Sequence, residues 1–147
     1  MLRGNCPARI DEKGRLKVPE AFKRVLEERY STPDFWVTSH DGQYARIYPL
    51  EEWIQIEEKL KQGGSFNNSR RKILDRLSYF GQEVSWDKQN RILIPAILRE
   101  KAEIKGDVAI LGHLNWLAVW NNDRFLADMN DNPITAEDGK VLDELGI

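Results

Sequence analysis

Cysteine is almost missing from this 147-residue chain: Cys6 is the only one. No intrachain disulfide can form, which fits a reducing compartment. Long apolar runs are also missing. The longest span only a few residues, so no transmembrane helix is expected. The first residues, Met-Leu-Arg-Gly-Asn, lack an apolar stretch of signal-peptide length, and a cytoplasmic protein is the default expectation. There are two histidines, His40 and His113, and no His-Glu-x-x-His. No Gly-x-x-x-x-Gly-Lys phosphate loop or Gly-x-Gly-x-x-Gly turn occurs. The common signatures of metal, nucleotide and dinucleotide enzymes are therefore absent. The expectation is a non-enzyme with no cofactor, no metal and no small-molecule substrate.

A global excess of positive charge is lacking too: the formal net charge is −2. Charge is distributed unevenly, however. Residues 1–18 carry Arg3, Arg9, Lys13, Arg15 and Lys17 against Asp11 and Glu12. Residues 121–147 carry two basic groups against seven acids. Any nucleic-acid contact must come from a local patch, which suffices when several subunits repeat it. Otherwise the pattern is a solvated surface with an acidic tail. With 41% apolar and 31% charged residues, the chain reads as a globular protein of one domain or two small ones.

What the chain does have is an internal repeat. Asp11-Glu-Lys-Gly-Arg15-Leu-Lys-Val-Pro19 recurs as Asp87-Lys-Gln-Asn-Arg91-Ile-Leu-Ile-Pro95, 76 positions later. A repeat of this kind dictates architecture. It extends through Leu16/Ile92, Val18/Ile94, Phe22/Leu98 and Lys23/Arg99. Further on, Phe35-Trp-Val-Thr and Tyr44-Ala-Arg-Ile-Tyr48 parallel Asp107-Val-Ala-Ile and Trp116-Leu-Ala-Val-Trp120 at an offset of 72. Each half of some 75 residues buries only a marginal core, so two halves should share one core or oligomerise.

Period-two alternation predicts a hairpin over 6–18, with Gly14 supplying positive φ in its turn. Pro19 should open a helix burying Phe22, Val25 and Leu26. A second hairpin is expected from 35–39 and 44–48, followed by a helix over Leu50–Gln62 with Trp53, Ile56 and Leu60 inward and a Glu57/Lys61 pair. Residues 63–69 read as a linker with Asn and Ser capping the next helix, 70–80, whose inward residues are Ile73, Leu74, Leu77 and Phe80. The second half repeats the plan with strands at 83–86, 91–94, 108–112 and 116–120 and a helix at 95–102. Asp123–Met129 and a Thr135-capped acidic helix reaching Leu145 complete the chain.

Asp-x-x-x-Arg places two opposite charges across a tight turn. One reading is a structural ion pair, Asp11–Arg15 and Asp87–Arg91, closing each turn. The other adds that Lys13, Arg15, Lys88 and Arg91 are displayed at protruding tips. There the rigid arginine fork suits phosphate or guanine edges, and a two-stranded ribbon fits the major groove. His40 and His113 fall in loops, and Cys6 reads as a small packed residue. The five tryptophans could form a stacking platform, but their positions favour core or subunit-interface packing.

These hairpin–helix units resemble the MraZ family of bacterial transcriptional regulators, whose halves resemble AbrB/SpoVT swapped-hairpin domains. The resemblance is carried by Leu2-Arg-Gly4, the two nine-residue motifs, Tyr48-Pro-Leu-Glu-Glu-Trp53, Ile110-Leu-Gly112 and Val119-Trp120, and covers about residues 2–125. It implies an α+β fold with a mainly β core: two tandem swapped-hairpin β-barrel repeats forming a pseudo-twofold unit with flanking helices. The repeats would span 1–62 and 82–129, with a linker and connecting helix at 63–81 and an acidic tail at 130–147. It further implies a nucleoid-associated homo-oligomer, a ring. The ring would bind G-rich direct repeats in the promoter of the division and cell-wall gene cluster, usually as a repressor. Arg15, with Lys13 and Gly14, would carry the principal double-stranded DNA contact, supported by Arg3. Lys88 and Arg91 would act in the second copy, where Asn90 replaces the family's usual glycine. Two other classes stay open: an antitoxin-like interaction module, and an enzyme with an unrecognised site.

Overall fold

The computed structural model describes residues 1–63 and 67–147, so part of the expected 63–69 linker lies outside the described residues. Along the chain run β1 (Asn5–Ile10), β2 (Arg15–Lys17), α1 (Glu20–Arg29), β3 (Asp34–Thr38), β4 (Ala45–Pro49), α2 (Leu50–Gln62) and α3 (Asn68–Tyr79). Then come β5 (Gln82–Ser85), β6 (Arg91–Leu93), α4 (Ala96–Ala102), β7 (Gly106–Gly112), β8 (Leu117–Asn121), α5 (Asn122–Asp131) and α6 (Ala136–Glu144). Pro19, Pro49 and Pro95 each stand at the N-cap, where φ near −60° suits helix entry and no N–H is wasted. Asn67 caps α3 by accepting from Arg70 N at 2.7 Å, as the turn-forming sequence predicts.

The strands form one antiparallel sheet in the order β5-β3-β4-β8-β7-β1-β2-β6. β5 and β6 meet across the remaining seam, so the sheet is a nearly closed barrel. Its order is invariant when each strand of the first half is exchanged for its counterpart in the second. That is the pseudo-twofold the repeat predicts. Two pairings lie on the axis: Leu16↔Ile92 in β2/β6, and Arg46↔Ala118 in β4/β8. Two others cross between halves: β1 pairs along its length with β7, and β5 with β3. β1 and β2 share only Ile10↔Leu16. The sequence-predicted hairpin is thus a swapped one, its strands paired chiefly with the other half.

Burial follows the repeat. Leu16 and Ile92, Val18 and Ile94, Phe22 and Leu98, and Ile47 and Val119 all lie in one core. The alignment of the third strands needs correcting by one residue. Phe35 and Val37 are in the core with Val108 and Ile110, while Asp107 is exposed and paired with Arg9 at 3.5 Å. Phe35 is therefore equivalent to Val108, not Asp107. A one-residue slip reverses every side chain of a strand, and only this register keeps the apolar set inside.

A second, smaller cluster of Tyr48, Trp53 and Leu77 joins α2 and α3 to the outer face of β3 and β4. Two expectations fail there. Ile73 is 48% exposed, because α3 buries only Leu77 and, just beyond its end, Phe80. Lys61 pairs with Glu58 at 3.7 Å, not with Glu57. Among the described residues no helix is long and apolar enough to cross a membrane.

Candidate nucleic-acid interface

The two acidic–basic turns have the same construction. Gly14 N donates to Asp11 O at 3.0 Å, and Asn90 N donates to Asp87 O at 2.9 Å. A residue with positive φ then lets the chain re-enter the sheet: Gly14 at 83° and Asn90 at 58°. Glycine adopts this region freely and asparagine tolerates it better than most residues. In each turn the carboxylate does the closing. Asp11 Oδ1 accepts from the N–H groups of Lys13 and Arg15 at 3.0 and 2.9 Å. Its Oδ2 accepts from Arg15 Nε at 2.8 Å. Asp87 does the same with Gln89 and Arg91, its Oδ2 lying 2.7 Å from Arg91 Nε. The structural ion pair predicted from the motif is present in both copies.

These bonds hold both carboxyls below their usual range. For Asp11 the Arg15 backbone N–H is the main cause. For Asp87 partial desolvation pulls upward, but the Arg91 N–H, the Arg91 guanidinium and the Gln89 N–H together outweigh it. Both aspartates are therefore carboxylates at neutral pH, and each fixes its arginine through Nε. The guanidinium's terminal nitrogens have no acceptor among the described residues. An arginine gripped at Nε keeps its outer edge aimed at solvent with little rotamer entropy left to lose.

The turns are tied together by the ribbon β2/β6. Val18 N donates to Asn90 O and Ile94 N to Gly14 O, both at 2.9 Å. With Leu16 and Ile92 pointing into the core, Arg15, Lys17, Arg91 and Leu93 occupy the outer face. Gly14 and Asn90 sit at opposite ends of this ribbon, four residues or about 13 Å apart. Lys13 and Lys88 stand exposed beside their arginines. Lys17 belongs to this face although the motif did not single it out. The alternation Arg15-Leu16-Lys17, with leucine inward, is the signal that finds it. The second copy has Leu93 where symmetry with Lys17 would put a cation. Because the strands are antiparallel, Lys17 lies opposite Arg91 and Leu93 opposite Arg15, so the Asn90 end of the ribbon has two facing cations and the Gly14 end one. Arg15 is the more available arginine, its side chain 35% exposed against 24% for Arg91.

Gly14 is buried and Arg99 lies over it, donating from Nε to Ile94 O at 2.9 Å. Arg3 lies before β1, beside the Leu2–Leu114 bridge, with the length of β1, about 20 Å, between it and the Asp11 turn. Among the described residues no group of three or more His, Cys, Asp or Glu is placed to hold a metal ion. His40 and His113 lie in different loops; partial burial and the nearby Arg46 charge hold both below the usual histidine range. Cys6 is half-buried against the core.

Comparison with known proteins matches both halves of the chain to one family. The family model described as "MraZ protein, putative antitoxin-like" matches residues 1–76 and 81–139. A protein of Acidobacterium capsulatum named "Transcriptional regulator MraZ" is 49% identical over 147 residues, all of both chains. One of Koribacter versatilis with the same name is 50% identical, again over the full length of both. One of Geotalea daltonii, also so named, is 34% identical over 163 aligned positions covering both chains.

Proposed function

The chain belongs to the MraZ family of transcriptional regulators, and from that premise we propose that it regulates by gripping double-stranded DNA with the outer face of its β2/β6 ribbon. Its relatives are named as regulators and not as enzymes. The observation that carries the reading is the doubled Asp–Arg clasp: two arginines held at Nε, outer edges free, on one exposed basic ribbon. Arg15 supplies the principal contact, with Lys13 and Gly14 charging and shaping its surroundings, and Arg91 with Lys88 and the facing Lys17 forms the second grip. The ~13 Å between turns is close to the ~12 Å width of the major groove. One ribbon offers few contacts. A homo-oligomeric ring presenting the same face several times would engage spaced direct repeats and multiply the effective concentration. Arg3, at the far end of β1 from the Asp11 turn, is a supporting contact and not part of the first tip. On this reading the targets are G-rich direct repeats upstream of the division and cell-wall gene cluster, and the net effect is repression.

The test is a salt-titrated binding assay on the DNA upstream of the protein's own gene, with a scrambled competitor. Wild type should bind selectively. If each engaged ribbon neutralises about three phosphates, log K should fall by roughly 2.7 per decade of salt for each ribbon. Arg15→Lys keeps the charge but not the fork and should lose selectivity before it loses affinity. Lys17→Ala should weaken all sequences alike and lower the slope by about 0.9. A folded protein with no selectivity at moderate salt would overturn the reading in favour of an interaction module.

A further inference from the structure

The opposite side of the barrel carries a surface that DNA recognition does not use. Arg46 lies on the pseudo-twofold axis of β4/β8, facing outward because Ala45 and Ile47 face the core. Two stacked aromatic pairs flank it symmetrically. Tyr44 stacks on Trp120 at 4.4 Å between centroids, and Tyr48 on Trp116 at 5.4 Å. The guanidinium lies 4.4 Å over the Trp116 ring and donates to the hydroxyls of Tyr44 and Tyr48 at 2.6 and 3.1 Å. No carboxylate comes within salt-bridge distance of it among the described residues, and its Nε is buried without an acceptor. A half-buried cation held only by neutral hydroxyls and ring faces is electrostatically incomplete.

Helix α6 has the complementary deficit. Every side chain on it is exposed. Val141, Leu142 and Leu145 form one stripe at helical spacing, exposed by 54, 39 and 68%. Glu137 and Glu144 border that stripe, and a Thr135/Asp138 capping box closes the helix N-terminus. One chain thus holds an uncovered apolar, acidic helix and a half-buried cation with the partly exposed rings of Tyr44 and Trp116 beside it, Tyr48 and Trp120 lying buried beneath. The groove near Tyr79 and Ile97 is a poorer seat. Its cations Lys101 and Arg124 already have Glu100 and Glu103 beside them, and Arg124 lies 3.9 Å from Glu103.

We infer that α6 of one copy docks on the Arg46 aromatic strip of a second copy, its leucine–valine stripe over Tyr44 and Trp116 and a bordering glutamate against the Arg46 guanidinium. The inference deepens the homo-oligomer part of the function proposed above and rests on it. Because the helix and the strip are different surfaces, the contact is head-to-tail, and such contacts close into rings when the rotation allows. The strip faces away from the β2/β6 ribbon across the barrel order, so assembly through it leaves the DNA face free.

The experiment places a photo-crosslinking residue at Leu145 in the full chain and mixes 14N- and 15N-labelled protein. Mass photometry is run in parallel on wild type, Arg46→Gln, and the pair Glu137→Lys/Glu144→Lys. Expected are mixed-isotope crosslinks from position 145 to residues 44–48 or 116–120. The assembly midpoint should shift at least tenfold to higher concentration in both variants, as truncating one partner of a desolvated pair at an interface does. The α6 variant alters only exposed positions, so at concentrations where both proteins are monomeric its melt should match the wild type's, and a folding defect in Arg46→Gln would not confuse the result. Crosslinks confined to one chain, crosslinks to another surface, or an α6 variant assembling like wild type would each overturn the docking while leaving the oligomer standing. A wild type that stays monomeric at all concentrations would remove the oligomer itself, and this inference with it.

Discussion

Replacing Gly14 with alanine tests the geometry of the first turn. The backbone there has φ +83°, which costs an L-residue about 1–2 kcal/mol. The new Cβ would lie 2.3 Å from Arg99 Nε, 2.5 Å from Cζ and 2.9 Å from Cδ. Arg99 is a long side chain and can move, but moving it gives up the 2.9 Å bond to Ile94 O. That bond is charged and half-buried, so its loss costs about 1–2 kcal/mol. The two effects sum to about 2–4 kcal/mol, or a fall of roughly 10 °C in Tm for a chain of this size. The assay is urea or thermal unfolding at one fixed protein concentration, because assembly contributes its own concentration-dependent stability. A double-mutant cycle separates the causes. In an Arg99→Ala background, Gly14→Ala should cost only the backbone part, leaving a coupling of about 1 kcal/mol. Asn90→Gly, at φ 58°, should be neutral or slightly stabilising. A Gly14→Ala loss under ~0.5 kcal/mol, or an unchanged loss without Arg99, would refute this account of the turn.

Three further outcomes follow from the same structure. Asp11 and Asp87 titrate below the usual 3.8, so their clasps contribute stability above that pH and lose it as the pH falls through their folded values. Acid unfolding of the Asp11→Asn/Asp87→Asn pair should therefore be shallower than wild type's below pH 3.8. His40 and His113 are both depressed below 6.5, so the folded state resists their protonation and stability should decline as pH drops from that value. NMR titration of the two ring Cε1 protons should give midpoints below 6.5 for both. Leu77→Ala should cost about 2–5 kcal/mol, whereas Ile73→Ser, at an exposed site, should stay within ~0.5 kcal/mol in an unfolding titration.

Much of this was legible because the repeat states it twice. The turn at Asp11–Arg15 combines a carboxylate, a glycine and an alternating strand, each pointing to the same local structure, and it recurs with the same bonds at Asp87–Arg91. The helix over Leu50–Gln62 was readable from Pro49 and the Trp53, Ile56, Leu60 spacing. What local pattern does not carry is which strand pairs with which. A hairpin at 6–18 and a swapped hairpin have the same alternation, and only the shared core decides that β1 runs beside β7. The slip between Phe35 and Asp107 has a related origin. Equal-length alignment cannot locate deletions in loops, whereas burial of Val108 can. Ile73 fits the apolar stripe of α3 but lies beyond the reach of the barrel, so periodicity alone misplaced it. Arg46 does not stand out inside Tyr44-Ala-Arg-Ile-Tyr48, because its significance lies in the lack of a facing carboxylate among the described residues, which no local pattern records.

The exchange of strands between halves also explains why the two tips can differ in chemistry while staying in register. Neither half closes a sheet alone: β1 needs β7, β5 needs β3, and both need the ribbon β2/β6. Each turn oxygen accepts from the other half's strand end, at Val18 and Ile94. The spacing of the tips is therefore set by backbone bonds between the halves and not by their side chains. That frees the outer positions to vary. Asn90 can stand where the first copy has Gly14 because asparagine accepts the required φ, and Leu93 can stand where the first copy has Lys17 because the position faces outward. The resulting face is symmetric in shape and asymmetric in charge, with Lys17 facing Arg91 at one end and Leu93 facing Arg15 at the other. On the proposed function, a duplex bound across it would meet two unequal grips at a fixed separation, which would give each subunit a polarity along the DNA that a strictly symmetric pair of tips could not supply.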